Sequence, residues 1–144
     1  MRVIVQRCKN AKCIINQKVK SEIEEGLVLF VGFTEGDTKE TILGMVNKIL
    51  NLRIFDDDDG VMNRSVLDVK GEILSISQFT LYADCKKGNR PSYLKAMKGP
   101  KASLLYDFFN KTLSDYLSVQ TGVFGANMDI CFTNHGPVTI MLER

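Results

Sequence analysis

Asn134-His135-Gly136-Pro137-Val138-Thr139 stands between two runs that read as strands in this chain of 144 residues. Before it, residues 127–133 alternate, with Met128, Ile130 and Phe132 on one face; after it, Val138, Ile140 and Leu142 do the same. Pro137 has no N–H to give to a β-ladder, so Gly136-Pro137 reads as the tip of a hairpin turn. Gly136 has no Cβ, so a ligand can approach the main chain closely there. Taken alone, the plainest reading of such a dipeptide is an ordinary turn.

The chain upstream supplies more strands. Residues 2–8 are rich in β-branched side chains, and residues 12–24 read as a hairpin turning at Asn16-Gln17. Gly26 is expected to break the chain before a buried strand, Leu27 to Phe33. Asp37 or Thr38 caps a helix whose apolar face is Ile42, Met45, Val46, Ile49 and Leu50. Leu52 to Phe55 and Val61 to Asn63 flank Asp56-Asp57-Asp58-Asp59-Gly60. That run lacks the alternating ligand spacing of a calcium loop and reads as a solvated turn. A strand, Glu72 to Ser77, runs into Gln78-Phe79-Thr80-Leu81. A second helix opens at Pro100 or Lys101, with Leu105, Phe108, Phe109, Leu113, Tyr116 and Leu117 as its buried face. Gln120 to Phe124 is a short extended piece. The expected class is α+β: a largely antiparallel sheet or barrel with two main helices, in a single domain over residues 1–144.

Composition excludes several functions. A net charge of +2 argues against a bulk nucleic-acid coat but leaves local patches open. Cys8, Cys13, Cys85 and Cys131 form no C-x-x-C pair and His135 is the only histidine, so no metal site is expected. The longest apolar run, Gly26 to Phe33, is far short of the ~20 residues of a membrane helix. No secretory leader is read in Met1 to Lys9, so a reduced, cytoplasmic protein without a membrane partner is expected.

Side-chain nucleophiles are available in Ser77, Thr80 and the cysteines, but each needs a base, and no glycine-framed elbow surrounds either residue. Between residues 86 and 101, Lys86, Lys87, Arg90, Lys95, Lys98 and Lys101 occur without an acid, with Tyr93 among them. Such a loop suits a phosphate backbone, or is simply solvated.

Ser77-Gln78-Phe79-Thr80-Leu81 and Asn134-His135-Gly136-Pro137-Val138-Thr139 together resemble the two signature motifs of the D-aminoacyl-tRNA deacylases. Further matches are Val5-Gln6-Arg7, Leu52-Arg53-Ile54-Phe55, Met62-Asn63, Arg90-Pro91-Ser92-Tyr93 and Gln120-Thr121-Gly122-Val123-Phe124, so the resemblance spans nearly the whole chain. It implies hydrolysis of the ester joining a D-amino acid, or glycine, to tRNA, without a cofactor, by a homodimer with its active sites at the subunit interface. It implies a cis Gly136-Pro137 bond that serves as chiral selector in the partner's site, with Arg7 and Asn134 beside it. Ser77, Gln78, Phe79 and Thr80 would line the pocket for the terminal adenosine and the ester. Lys86, Lys87 and Arg90 would hold the tRNA. His135 fills a position that the family pattern leaves open, and no catalytic role is assigned to it. Two other readings compete: a non-catalytic RNA-binding module using the basic loop, and a conventional hydrolase with Thr80 or Ser77 as nucleophile.

Overall fold

Asn16 and Gln17 both carry positive φ, 50° and 63°. That pair of left-handed conformations suits the two-residue hairpin turn whose twist matches its flanking strands. They close β1 (Arg2–Ile15) onto β2 (Lys18–Gly32), two long strands in antiparallel register from Arg2↔Gly32 to Ile15↔Lys18. The computed structural model describes residues 1–144 in full. The remaining strands are β3 (Phe55–Asp56), β4 (Met62–Arg64), β5 (Glu72–Ser77), β6 (Val119–Thr121) and β7 (Asp129–Glu143), with helices α1 (Lys39–Leu50) and α2 (Gly99–Ser114).

The main sheet has the order β6-β5-β2-β1-β7. The long pairings of β1 with β2 and β7 are antiparallel, while the short β5 and β6 join in parallel. The sheet is therefore mixed, and the class is α+β as expected. β6 and β7 are its edges, so the barrel alternative does not close. Gly26 does not interrupt the chain. It lies inside β2 at φ +154°, where a Cβ would stand 1.9 Å from the Glu72 carbonyl oxygen. Glycine is needed there for close approach to β5, which is a different reason from the chain break read in the sequence.

Both helices lie on one side of the sheet. Thr38 caps α1: its hydroxyl accepts from the Thr41 N–H at 3.4 Å, and the Thr41 hydroxyl accepts from the Thr38 N–H at 3.3 Å. Ile42, Met45, Val46, Ile49 and Leu50 are buried, the face expected from their spacing. On α2, Phe109 and Leu113 are buried as expected, but Tyr116 falls beyond the helix end and is 60% exposed. Tyr106 takes an inward position instead, and its hydroxyl donates to the Ser75 carbonyl at 2.7 Å. These helices cover Val3, Val5, Leu27, Leu29, Val31 and Ile73 in the main core. The opposite sheet face carries a smaller cluster around Val28, Leu74 and Ile76, and Phe30, Ile130 and Phe132 there are only partly buried.

The acidic run is the turn between β3 and β4. The Asp57 carboxylate accepts the N–H groups of Asp59 and Val61 at 3.1 and 3.0 Å. The Val61 N–H is the main cause holding that carboxyl below the usual range. No metal-ligand cluster forms.

The reading of residues 134–139 as a hairpin is corrected by β7, which continues through them along β1 in one direction. Pro137 is tolerated because β7 is an edge strand, where a missing donor leaves no neighbour unpaired. The ladder is interrupted between Gln6↔Thr139 and Cys8↔Asn134, so His135, Gly136, Pro137 and Val138 face the single residue Arg7. The stretch is a bulge. It also moves the strand from one packing environment to the other: Ile130 and Phe132 pack on the smaller cluster, Val138, Ile140 and Leu142 on the main core.

Candidate active site

Arg7 is the residue on which the bulge rests. Its side chain is 8% exposed, and burying a guanidinium requires partners for its N–H groups. Nε donates to the His135 carbonyl at 3.1 Å, and Nη1 donates to the Ile54 carbonyl at 2.9 Å and to Asp56 Oδ1 at 3.2 Å. One planar fork thus ties β1, the β3 turn and the bulge together. Asn134 secures the bulge's other side. With its amide oriented to satisfy both ends, the nitrogen donates to the carbonyls of Arg7 and Val138 at 3.2 Å each. The oxygen then accepts from the Thr139 hydroxyl and the Gln6 amide at 2.9 Å each.

Held in this way, Gly136 and Pro137 are exposed, and their peptide bond is cis. Gly136 sits at φ +124°, and a Cβ on it would approach Arg7 Nη2 to 3.0 Å and Val138 Cγ2 to 2.9 Å. His135 lines a polar groove of about 510 Å³ with Arg7, Asp56, Glu24, Glu25 and Glu72.

Ser77-Gln78-Phe79-Thr80 forms the other half. β5 ends at Ser77, and the Gln78 N–H donates to the Val31 carbonyl at 2.7 Å. The chain then turns into a short 3-10 helix, Phe79–Tyr82. The opening N–H groups of such a turn have no partner inside it, so Phe79 and Thr80 present donors at their backbone. The Gln78 side-chain amide donates to the Thr80 hydroxyl. Ser77, Gln78 and Phe79 line a mostly apolar cavity, also about 510 Å³, with Tyr93, Phe124 and Met128. That volume lies in the range of small-molecule pockets.

The structure does not bring the two halves together within one chain. Neither Gly136 nor Pro137 lines the cavity of Ser77–Phe79, and none of residues 77–80 lines the groove of His135. From Ile130, which does line the cavity, the extended strand runs on the order of 20 Å to Gly136 at ~3.4 Å per residue.

Lys86, Lys87 and Arg90 are exposed on the loop after Tyr82. The four cysteines are free; burial pushes the Cys8 thiol up to about 12, and Cys13 is raised for the same reason. Sequence reasoning missed Phe124 and Met128 as cavity walls, and Ile54 and Asp56 as Arg7's partners. The chain's path supplies these contacts, and no local residue pattern marks them.

Comparison with known proteins supplies the family and the fold it shares. The sequence profile of the D-Tyr-tRNA(Tyr) deacylase family matches residues 4–143. Proteins named D-aminoacyl-tRNA deacylase from Listeria monocytogenes serotype 4a and Bacillus cytotoxicus are 55% and 50% identical. Each alignment covers 99% of this chain, with 95% and 99% of those proteins. Among solved structures, the c-Myc DNA Unwinding Element Binding Protein is 38% identical at a TM-score of 0.95, covering 100% of this chain and 99% of its own. A probable eukaryotic D-amino acid tRNA deacylase, 20% identical at a TM-score of 0.85 over 98% of this chain and 97% of its own, shares the fold. On the profile match and these identities, the chain belongs to the D-Tyr-tRNA(Tyr) deacylase family.

Proposed function

We propose that this protein hydrolyses the ester between a D-amino acid and the terminal ribose of tRNA, accepts glycyl-tRNA as well, and rejects L-aminoacyl groups by collision with backbone. The observation that carries the reading is the Gly136-Pro137 bulge: exposed main chain with no Cβ at Gly136, braced from beneath by Arg7 and Asn134. Carbonyl oxygens at the bulge accept the substrate's ammonium group. The cavity of Ser77, Gln78 and Phe79 takes the terminal adenosine, and a backbone N–H of Phe79 or Thr80 stabilises the oxyanion. No metal or cofactor takes part, and the reaction is proposed for the cytoplasm, where aminoacyl-tRNA is used. No helix of the chain is long and apolar enough to cross a membrane.

A complete site then needs two copies, each lending its bulge to the other's cavity. The partly buried Phe30, Ile130 and Phe132 on the helix-free face give a second copy an apolar surface to cover. The expected mass in solution at micromolar concentration is that of a dimer, and a monomer by sedimentation would overturn the shared site.

Lys86, Lys87 and Arg90 contact the tRNA backbone in this reading. Reversing all three to Glu is expected to raise KM about tenfold or more at physiological salt while kcat changes little, because such contacts bind ground and transition states alike. A wild-type KM would leave the loop merely solvated.

The test of the activity itself is ester loss from matched D- and L-aminoacyl-tRNA. The neighbour named for a DNA element keeps a second reading in view, that of a nucleic-acid binder that uses the basic loop alone. Tight RNA binding without any ester loss would favour it.

A further inference from the structure

We propose that Tyr93 and Leu94 form a stacking platform for the unpaired nucleotide that precedes the terminal one, so that the protein recognises the single-stranded 3′ end of its RNA and not only its last nucleoside. The inference rests on the tRNA reading above and adds the path by which the strand leaves the cavity.

Leu94 is the most exposed large apolar side chain of the molecule, at 94%, and does not line the cavity. Its neighbour Tyr93 does line it and is 41% exposed, so it forms part of the rim. Tyr93 and Phe79 form a T-shaped pair with ring centroids 5.0 Å apart, which holds the Tyr93 ring at the rim while 41% of the residue stays exposed.

Both residues sit between two anchors. On one side Asp84 and Ser92 exchange backbone bonds at 2.8 and 2.9 Å. On the other, the Lys95 carbonyl accepts from the Thr34 hydroxyl at 2.6 Å, and the Met97 N–H donates to the Phe33 carbonyl at 2.9 Å. Two exposed apolar residues held this firmly in a basic loop are costly in a segment with no partner, and they suit a base, which stacks through its face whatever its identity.

Lys86, Lys87 and Arg90 precede Tyr93 on the same exposed loop, and the cavity-lining stretch Phe124 to Met128 contains no Lys or Arg. A polynucleotide whose last nucleoside fills the cavity and whose phosphates meet those cations passes Tyr93 and Leu94.

The test uses direct binding of uncharged RNA, read by fluorescence anisotropy, with no ester in the assay. One hairpin carries a four-nucleotide single-stranded 3′ end and the other is blunt. The wild-type chain is expected to bind the first at least tenfold more tightly. Tyr93→Ala and Leu94→Ala should each weaken the overhang hairpin about tenfold and leave the blunt one unchanged, while Tyr93→Phe keeps wild-type affinity. An abasic penultimate position should weaken wild-type binding as much as Tyr93→Ala does. Leu94 is almost fully exposed, so its variant keeps the fold, which thermal unfolding checks. Equal wild-type binding of both hairpins, or equal losses on both in the two alanine variants, overturns the platform. Failure of the wild-type chain to release D-amino acids would overturn the deacylase reading instead, and the binding result would stand by itself.

Discussion

D-Alanyl-tRNA is expected to lose its ester fastest under one set of conditions, glycyl-tRNA detectably, and L-alanyl-tRNA at the uncatalysed rate. On the proposed function, the reason is the material of the selector. An α-carbon that approaches the exposed main chain of Gly136 must turn its smallest substituent, hydrogen, towards it. A D-residue then points its side chain into open space, and an L-residue drives its side chain into backbone that Arg7 and Asn134 hold in place. Rejection by collision is a specificity device that side-chain changes elsewhere in the cavity cannot relax, so those changes should lower rate without admitting L-substrates. Glycine has nothing to collide and cannot be excluded sterically. Gly136→Ala is the complementary variant. Its methyl group would stand 3.0 Å from Arg7 Nη2 at φ +124°, a conformation L-residues rarely adopt. The bulge must shift, and a displacement near 1 Å at a reacting centre costs on the order of 100-fold in rate, here on the D-substrate itself. Efficient hydrolysis of L-alanyl-tRNA would falsify the steric selector.

Removal of the 2′-hydroxyl from the terminal ribose should reduce kcat by roughly 100-fold or more, whereas Thr80→Ala and His135→Ala should each retain kcat within about tenfold of wild type. The expectation follows from the absence of a paired nucleophile and base. The Thr80 hydroxyl accepts from the Gln78 amide, which cannot take its proton. His135 is the only histidine, and in the proposed dimer the bulge would carry it to the partner's cavity, so His135→Ala tests it directly. The buried Cys8 and Cys13 thiols are shifted away from the reactive thiolate, and Cys85 and Cys131 do not line the cavity. On the proposed function, the hydroxyl adjacent to the ester in the substrate then assists water, with the Phe79–Thr80 N–H groups stabilising the developing charge. A loss of several orders of magnitude in either variant, with full activity on the 2′-deoxy substrate, would restore a side-chain mechanism.

Helix α1 was legible, apart from the choice between Asp37 and Thr38 as its cap, because its buried face is set by residues three and four apart, and a local period needs no knowledge of the rest of the chain. The Asn16-Gln17 turn and the strand Glu72–Ser77 were readable for the same reason. The two motif stretches carried the family from sequence, since their residue identities are specific in themselves. What the tertiary structure decided is how each stretch is used. Gly136-Pro137 looks the same locally in a hairpin and in an edge-strand bulge. The partner strand β1, more than a hundred residues away in the chain, makes it a bulge, because Gln6↔Thr139 and Cys8↔Asn134 fix the register on both sides. Gly26 likewise reads as a break until β5 arrives at 1.9 Å from its missing Cβ. Arg7's hold on His135 and Ile54 also depends on pairings between distant segments, as does the separation of the cavity from the bulge. Strand register is a collective property of the folded sheet, and a local window of sequence does not contain it.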